Sequence, residues 1–350
     1  MTLPDMTDQA SRWLKEEGPH GRVVLSSRVR LARNLAGFPF LSRASHDQRL
    51  ELMRTCEQRI LSANLSPQML WVDLSRSGEL DRLLLVERHL ISHQLSRETS
   101  PRGVAVTGDE SMAIMVNEED HLRICALRCG MQLDDAYRQA DAADDALEAH
   151  LDFAFSSRLG YLTACPTNVG TGIRVSVMLH LPALRLTGEI DKLRRAAKDM
   201  HLAVRGFYGE GTEATGDLYQ VSNQTTLGRS ERAILEEFRD VIIPRIIEYE
   251  VEARRALLEH RATVLEDLIW RAWATLTHAR LLGTEETLAH LSMLRLGVSM
   301  ERIDRVSMTT LNELFLLSQP GHLQKLTGGR MEGPERRRYR AQYVRQRLGA

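Results

Sequence analysis

The apolar run Met112-Ala113-Ile114-Met115-Val116 is followed directly by the charged stretch Asn117-Glu118-Glu119-Asp120-His121-Leu122-Arg123. The run predicts a buried β-strand, because a short apolar run bounded by polar residues is typical of a covered strand. If the chain stays extended beyond the run, Glu119, His121 and Arg123 share one face, since the side chains of a strand alternate. A carboxylate, an imidazole and a guanidinium would then point the same way. The alternative is a solvated charged turn, and the rest of the chain has to decide between the two.

The composition indicates a globular protein with a substantial core. The chain has 350 residues, 43% of them hydrophobic, which suits two domains or one large one. Its formal net charge of −1 creates no overall field that would attract nucleic acid or an acidic membrane. No apolar run approaches the roughly 20 residues of a spanning helix, and Met1–Gly21 contains no signal-peptide hydrophobic segment. We expect a soluble, cytoplasmic protein that binds neither membranes nor nucleic acid directly.

Four cysteines in a chain of this length do not form a disulfide framework; they are Cys56, Cys125, Cys129 and Cys165. His121, Cys125 and Cys129 are each separated by three residues, and both residue types ligate zinc. However, this spacing matches no common zinc framework and no second ligand pair accompanies it. A zinc site is therefore only an alternative for this row.

Arginines recur on several predicted strands. Val23–Leu31 predicts an early strand with Arg28 and Arg30 on one face, although an edge strand guarded by charges is an alternative. Residues 173–180 predict a second strand, with Ile173, Val175, Val177 and Leu179 on one face and Arg174, Ser176, Met178 and His180 on the other. Leu202–Gly211 predicts a third strand and a turn, which present Arg205 and Glu210.

Together these arginines point to an anionic ligand. The set comprises Arg28, Arg30, Arg123, Arg174 and Arg205, accompanied by the carboxylates of Glu119 and Glu210. Five converging guanidinium groups would repel one another unless an anion lay among them. A nucleoside triphosphate is the natural candidate, because arginine binds phosphate through two parallel hydrogen bonds and stays charged. The glycine-containing loop at 168–172 is not a P-loop, because it lacks the Gly-Lys-Ser/Thr ending and leads into a strand.

Helical patterns surround the predicted strands. Leu80–Leu95 and Leu133–Arg158 each predict a helix, and His89 falls within the first of them. A lone histidine on a helix is usually a surface residue or a satisfied core residue, so position alone does not select His89. From about Ala253 onward, the spacing of apolar residues predicts helices only.

Four segments together resemble the signature blocks of the ATP:guanido phosphotransferases, in order and in spacing. The blocks are Ser26–Arg30, Asn117–Arg123, Cys165–Arg174 and Arg205–Glu210. Within that superfamily the chain is most similar to the bacterial protein arginine kinases, and the resemblance extends over nearly the whole chain. It implies an α+β fold in which an antiparallel sheet is flanked by helices, as in phosphagen kinases and glutamine synthetase. It also implies an N-terminal segment (1–21), a catalytic domain (22–252) and an all-helical C-terminal domain (253–350).

The resemblance assigns roles to particular residues. It implies that Glu119 and Glu210 grip the acceptor guanidinium and that Cys165 lies beside it. It implies that the five arginines hold the phosphates of ATP and that His89 packs beside the nucleotide. The other residues of the implied ATP site are Ser26, Ser27, Val29, Val175, Ser176, Val177, Met178, Gly206, Phe207, Tyr208 and Gly209. Mg²⁺ is expected with the nucleotide and without ligands from protein side chains.

The identity of the acceptor is inferred from the position of the first block. Kinases of free arginine or creatine carry a helical domain of roughly a hundred residues before that block, whereas here it starts at Ser26. We therefore expect an open acceptor side that admits an arginine displayed on a protein. The resemblance further implies a homodimer, a small zinc-binding activator, and substrates that are stress regulators or damaged proteins marked for a Clp ATPase and protease.

The C-terminal helix departs from the family pattern. The phosphoarginine-binding motif of the family reads Arg-Asp-x-x-Arg-Ala, and this chain has Arg336-Arg337-Arg338-Tyr339-Arg340-Ala341. The implied allosteric residues are Arg336, Arg337, Arg340 and Ala341. Arg337 replaces the aspartate that could pair with the guanidinium of phosphoarginine, so we expect weaker discrimination against other phosphates. A solvated basic surface is the alternative for this helix.

Two other classes of function stay open at this point. An ATP-dependent carboxylate–amine ligase can share this type of sheet, but such enzymes rely on carboxylate-bound metals rather than on five arginines. A non-catalytic phosphoarginine-binding protein could keep the kinase fold, but it would not need both Glu119 and Glu210.

Overall fold

The computed structural model describes residues 6–7, 9–15, 17–207 and 215–350. The strands are β1 (Val24–Arg33), β2 (Met69–Asp73), β3 (Gly103–Thr107), β4 (Met112–Val116), β5 (Leu122–Cys129), β6 (Phe155–Ser156), β7 (Gly160–Tyr161), β8 (Ile173–His180), β9 (Leu202–Arg205) and β10 (Leu218–Asn223). The helices up to residue 237 are α1 (Arg12–Lys15), α2 (His46–Ser62), α3 (Glu79–Glu87), α4 (His93–Arg97), α5 (Leu133–Glu148), α6 (Pro182–Leu186), α7 (Ile190–Asp199) and α8 (Glu231–Glu237). The later helices are α9 (Ile243–His278), α10 (Thr284–Ser299), α11 (Met308–Leu317), α12 (Pro320–Leu326) and α13 (Gly333–Arg347).

An antiparallel sheet organises the first part of the chain. Among the described residues it has eight strands in the order β2-β3-β4-β5-β1-β8-β10-β9. Each neighbouring pair runs antiparallel, which confirms the predicted fold class. Strand β1 lies between β5 and β8, so interpreting it as an edge strand guarded by charges is wrong.

The two faces of the sheet are covered unequally. One face packs against α2 and α5, with Val29, Ile124 and Val175 among its fully buried side chains. On the other face, α3 packs against apolar residues of β3 and β4, forming a smaller core. This second cover does not extend over the middle of the sheet, where β5, β1, β8 and β10 line a cavity.

Two helix predictions require correction. The segment 80–95 is not one helix, because α3 ends at Glu87 and α4 begins at His93, with His89 between them at φ 60°. The helix predicted over 133–158 ends at Glu148, and a short β6–β7 hairpin follows. Apolar spacing could not show either ending, because the hydrophobic residues continue past both.

The last hundred residues are helical, as predicted, and pack on one another and on the sheet domain. The predicted domain boundary at 252/253 falls inside α9, a 36-residue helix whose dihedral angles become non-helical at Arg261 (φ −142°, ψ 32°). Helix α12 lies against α3, and α11 lies against α1. In the part of the chain that the structure describes, no helix combines the length and the apolar character needed to cross a membrane.

Candidate active site

A cavity of about 760 Å³ lies over the middle strands of the sheet. The antiparallel register aligns the residues of its floor across neighbouring strands. Arg30 lies opposite both Cys125 and Arg174, and Arg28 lies opposite Ser176. The predicted site residues that line it are Ser26, Arg28, Arg30, His89, Glu119, Arg123, Cys165, Arg174, Ser176, Met178, Arg205 and Phe207. All five arginines selected from the sequence therefore reach one cavity.

Arg30 lies at the centre of the positive charge. Burial, together with the nearby cations Arg123 and Arg174, lowers its pKa to about 9. Its Nε is buried and, among the described residues, has no hydrogen-bond partner. The guanidinium of Arg30 therefore still carries its charge at neutral pH, and its Nε–H donates to no acceptor among the described residues. An anion in the cavity would remove both the repulsion and the unpaired donor.

Arg123 is neutralised by carboxylates of its own hairpin. It forms ion pairs with Glu118 and Glu119, and Asp120 lies 3.8 Å from its Nη2. Burial alone would lower its pKa, but these carboxylates, Glu118 first, raise it above the usual value. Glu118 is buried, whereas the side chain of Glu119 is 38% exposed. Glu119 is therefore the carboxylate of this group that is accessible from the cavity.

The prediction that Glu119, His121 and Arg123 share one face of a strand is wrong. Residues 117–121 form the loop of the β4–β5 hairpin, in which Asn117 has φ 60° and its N–H donates to the carbonyl of His121 (3.0 Å). This turn directs His121 away from the cavity. Its Nδ1 accepts from the N–H of Leu35 (3.0 Å), and its Nε2 lies 3.1 Å from the carbonyl oxygen of Pro39.

Cys165 is held at the cavity by the same hairpin. Asp120 Oδ1 accepts hydrogen bonds from the N–H of Ala164 (2.7 Å) and from Asn34 Nδ2 (2.8 Å). The thiol Sγ of Cys165 lies 3.0 Å from Thr167 Oγ1 and is partly exposed. A buried carboxylate thus fixes the loop that presents the thiol to the cavity, which Glu119 also lines.

His89 occupies a backbone position usually taken by glycine. It follows the end of α3 in a Schellman arrangement, in which its N–H donates to Val86 (2.9 Å) and that of Leu90 donates to Leu85 (3.0 Å). A non-glycine residue at φ 60° costs about 1–2 kcal/mol, so the surroundings must hold it there.

The imidazole of His89 forms part of an aromatic wall. Its ring centroid lies 4.7 Å from that of Phe207 and 5.8 Å from that of Trp13, both edge to face. Burial lowers its pKa to about 3, with smaller effects from Arg28 and His93. A neutral imidazole between two aromatic rings suits a flat, uncharged part of a ligand rather than a phosphate.

Several predicted site residues do not line the cavity. Ser27, Val29, Val175 and Val177 alternate to the opposite face, where Ser27 Oγ donates to the carbonyl of Gly130 (2.7 Å) and the three valines join the core. Gly206 lies between Arg205 and Phe207, which do line it. Tyr208, Gly209 and Glu210 fall outside the described residues.

Asp217, directly before β10, is firmly anchored to its surroundings. Asp217 forms an ion pair with Arg185 and accepts a hydrogen bond from Ser292 Oγ (2.6 Å) of α10. The same hydroxyl oxygen lies 2.9 Å from His180 Nε2 at the end of β8. Helix α10 of the C-terminal region thus fixes the chain directly before β10.

Sequence reasoning missed several polar residues of the cavity wall, among them Glu118 and Ser92. Ser92 caps α4, accepting from the N–H of Leu95 (3.0 Å), and its hydroxyl donates to Glu118 Oε1 (2.6 Å). Glu118 belongs to the opening stretch, but strand alternation assigned it to the face opposite Glu119. Interpreting 117–121 as a hairpin loop would have allowed both carboxylates to reach Arg123.

Side chains of the described residues do not assemble a metal site. Both imidazole nitrogens of His121 lie within hydrogen-bonding distance of backbone groups, so the row with Cys125 and Cys129 does not form a zinc site. Across residues 6–7, 9–15, 17–207 and 215–350, no group of three or more His, Cys, Asp or Glu could hold a metal ion.

The predicted phosphoarginine residues lie on α13 in different environments. Arg340 is 1% exposed, and its Nε and Nη1 donate to the carbonyls of Ser318 (2.8 Å) and Leu282 (3.0 Å). Ala341 is buried, Arg337 is exposed, and Arg336 donates to the carbonyl of Met331 (3.2 Å). Arg340 donates to backbone groups in this structure, and the assignment of these residues to a phosphoarginine site stays a prediction.

Comparison with known proteins gives one family for both parts of the chain. Residues 52–253 match the model of the ATP:guanido phosphotransferase C-terminal catalytic domain. Residues 262–350 match that of the protein-arginine kinase McsB C-terminal domain. The chain is 46% identical over 343 residues to a protein-arginine kinase of Symbiobacterium thermophilum, covering 97% of each protein. A protein-arginine kinase of Halothermothrix orenii is 43% identical over 352 residues, and this match covers 99% of each protein.

Solved structures agree in fold. A duplicated taurocyamine kinase from Schistosoma mansoni, with bound components of a transition-state analogue, superposes with a TM-score of 0.62 at 28% identity. The match covers 70% of this chain and 36% of that one.

Proposed function

The chain belongs to the protein-arginine kinases of the ATP:guanido phosphotransferase family, and on that premise we propose that it transfers the γ-phosphoryl group of ATP to arginine side chains of proteins. One observation carries the proposal. Arg28, Arg30, Arg123, Arg174 and Arg205 converge on the cavity that Glu119 and Cys165 also line. The product is a phosphoramidate, in which a guanidinium nitrogen is bonded to phosphorus.

The acceptor requires carboxylates. A guanidinium is a poor nucleophile at pH 7, because removing its proton costs about 6–7 pKa units, or roughly 9 kcal/mol. General-base catalysis supplies typically about 10²–10⁴-fold, so proton removal by Glu119 and Glu210 is not sufficient. We propose that these carboxylates chiefly hold the guanidinium with one nitrogen in line with the γ-phosphorus. Cys165 then adjusts the position of the acceptor and forms no covalent intermediate.

The donor requires the arginines. The triphosphate would lie among Arg28, Arg30, Arg123, Arg174 and Arg205. Its charge would relieve the repulsion that adds to burial in lowering the pKa of Arg30. Mg²⁺, when bound to the phosphates, neutralises part of their charge, and no side chain is proposed as its ligand. The adenine ring would pack against the wall formed by Trp13, His89 and Phe207, where a neutral imidazole avoids a buried charge.

The acceptor class and the biological setting are inferred from the relatives. The relatives that match nearly the whole chain are called protein-arginine kinases, so we propose arginines of proteins as substrates. As finer proposals, the substrates are stress regulators or damaged proteins marked for a Clp protease, and a zinc-binding protein activates the enzyme. We further propose that it acts in the cytoplasm as a homodimer, with a catalytic domain at 22–252 and a dimerisation domain at 253–350.

The proposal is tested by incubating the protein with ATP and an arginine-rich unstructured protein. We expect phosphate in the protein that is labile in acid, and a much lower kcat/KM for free L-arginine. Comparable kcat/KM values for the protein and for free L-arginine would indicate a kinase of small guanidino compounds instead. ATP hydrolysis coupled to amide formation would indicate a ligase instead, and phosphoarginine binding without transfer would indicate a non-catalytic binding protein.

A further inference from the structure

A buried polar cluster joins the C-terminal region to the segment that carries His89. Its members are Glu87 and Arg88 at the end of α3, Glu110 in the β3–β4 turn, and His322 of α12. All four are at most 5% exposed. Burying charged groups costs desolvation free energy, and apolar residues of similar volume often stabilise a fold equally well. The cluster therefore needs an explanation other than stability.

Glu87 binds the beginning of α12. Its Oε1 accepts from the N–H of Gly321 (2.7 Å), and its Oε2 accepts from the N–H of His322 (3.0 Å) and from its Nδ1 (2.8 Å). A Cβ added to Gly321 would lie 2.7 Å from Glu87 Oε2 and 3.0 Å from Leu83 Cγ. Glycine is thus required at 321 for this close approach.

Arg88 continues the connection toward the N-terminal segment. Its Nε donates to Glu110 (2.8 Å), and its Nη1 donates to the carbonyls of Met6 (2.7 Å) and Gln9 (3.0 Å). Glu110 also accepts from Ser11 Oγ (2.7 Å). These contacts hold the segment that leads to α1, whose Trp13 packs against His89.

His322 links the two charged residues. Its Nε2 lies 3.1 Å from Arg88 Nη1, which can only donate, so Nε2 accepts and Nδ1–H donates to Glu87. Burial keeps the pKa of His322 below its usual value, in agreement with a neutral ring that accepts at one nitrogen and donates at the other.

We propose that Glu87, Arg88 and His322 act as positioning residues that hold His89 in its left-handed conformation facing the nucleotide, so that α12 forms part of the ATP site without touching ATP. This inference rests on the proposed function. His89 directly follows Arg88, and its φ of 60° needs external support. Glu87 fixes the last turn of α3 from the side of α12, and Arg88 holds the segment before Trp13 from the other side.

The test measures ATP affinity, kcat and both KM values in Glu87→Gln, Gly321→Ala and His322→Asn. We expect each of the first two to raise the Kd and KM for ATP about tenfold and to leave the KM for the protein acceptor within about twofold. His322→Asn keeps a donor toward Glu87 and loses the acceptor for Arg88, so we expect a smaller rise of about threefold.

The matched control is Asn312→Ala, which removes a buried hydrogen bond to Arg295 (3.0 Å) in the same helical region, outside the cavity. We expect it to lower the melting temperature and leave ATP affinity unchanged. If Glu87→Gln and Gly321→Ala behave like this control, the proposal is overturned. If neither of them folds, His322→Asn decides alone, and an ATP affinity within 1.5-fold of the wild type overturns it. A wild-type protein that binds no ATP would instead contradict the proposed function.

Discussion

Arg30 and Arg340 both have a lowered pKa and an unpaired nitrogen among the described residues, but their surroundings differ. Burial lowers the pKa of each, to about 9 for Arg30 and about 10 for Arg340. Each has one nitrogen, Nε or Nη2 respectively, without a hydrogen-bond partner among the described residues. Arg30, however, borders an open cavity beside Arg123 and Arg174, whereas Arg340 donates to two backbone carbonyls.

The difference shows that a buried, arginine-rich pattern does not by itself indicate a phosphate site. In the cavity, guanidinium groups repel one another across space that an anion can fill. On α13, the guanidinium of Arg340 donates to the carbonyls of Ser318 and Leu282. These hydrogen bonds stabilise the packing of the helix. We therefore interpret the cavity arginines as functional and the contacts of Arg340 as structural.

The largest effect is expected at Glu119. Glu119→Gln keeps the shape of the side chain but loses the charge that holds the acceptor, so phosphoryl transfer should fall by at least about 100-fold. Single-turnover measurements with saturating ATP would show this, and ATP binding should change little. The same result is expected for Glu210→Gln. Near-normal turnover in both variants would remove these carboxylates from the mechanism.

The next effect concerns the aromatic wall of the cavity. His89→Asn should weaken ATP binding by about tenfold, because the ring that contacts Trp13 and Phe207 is lost. Asparagine tolerates φ 60°, so the free energy of unfolding should change by less than about 1 kcal/mol. Calorimetric titration with ATP and chemical denaturation would measure both. An unchanged affinity for ATP would exclude this wall as the binding site of the adenine ring.

The dependence of folding stability on pH should differ between the cavity wall, which contains His89, and α13, which contains Arg340. The pKa of His89 is lowered from 6.5 to about 3, so the unfolded chain binds this proton more readily and folding stability is lost as pH falls below about 6.5. The loss attributable to His89 should be about 1.4 kcal/mol between pH 7.5 and 5.5. His89→Asn should remove that part of the slope. Arg340→Ala should lower stability equally at both pH values, because a guanidinium does not titrate there, and a changed slope would contradict the contrast.

The smallest effect is expected on the surface of α13. Arg337 is exposed, so Arg337→Asp should change the preference for phosphoarginine over phosphoserine peptides by only a few-fold, in favour of phosphoarginine. Calorimetry with both peptides would measure this preference. A wild-type protein that is already strongly selective would show that another residue supplies the missing carboxylate.

The sequence predicted the part of the site that depends on strand alternation. Arg28 and Arg30 on β1 and Arg174 on β8 reach one face because alternate residues of neighbouring strands share it, and this prediction is confirmed. The hairpin loop at 117–121 was not predicted, because its turn depends on the left-handed conformation of Asn117, which the charged pattern does not reveal.

Two other residues show where local patterns fail. His89 ends α3 in a conformation that favours glycine, so the sequence gives no stop signal there, and tertiary contacts supply the constraint. Arg340 could have been recognised as buried, because it lies on the same helical stripe as Val344, four residues later, next to Ala341.

The contrast between the two regions is tested most directly by measuring ATP affinity and the free energy of unfolding in Arg30→Ala and Arg340→Ala. We expect Arg30→Ala to raise the Kd for ATP at least about tenfold and to leave stability within about 1 kcal/mol, since it removes one of several repelling cations. Arg340→Ala should lower stability by about 2–4 kcal/mol, because two buried carbonyls lose their donors. Its Kd for ATP should stay within about threefold, because Glu87 holds α12 independently. Equal loss of stability in both variants, with ATP affinity unchanged in Arg30→Ala, would contradict the assignment of the cavity as the nucleotide site.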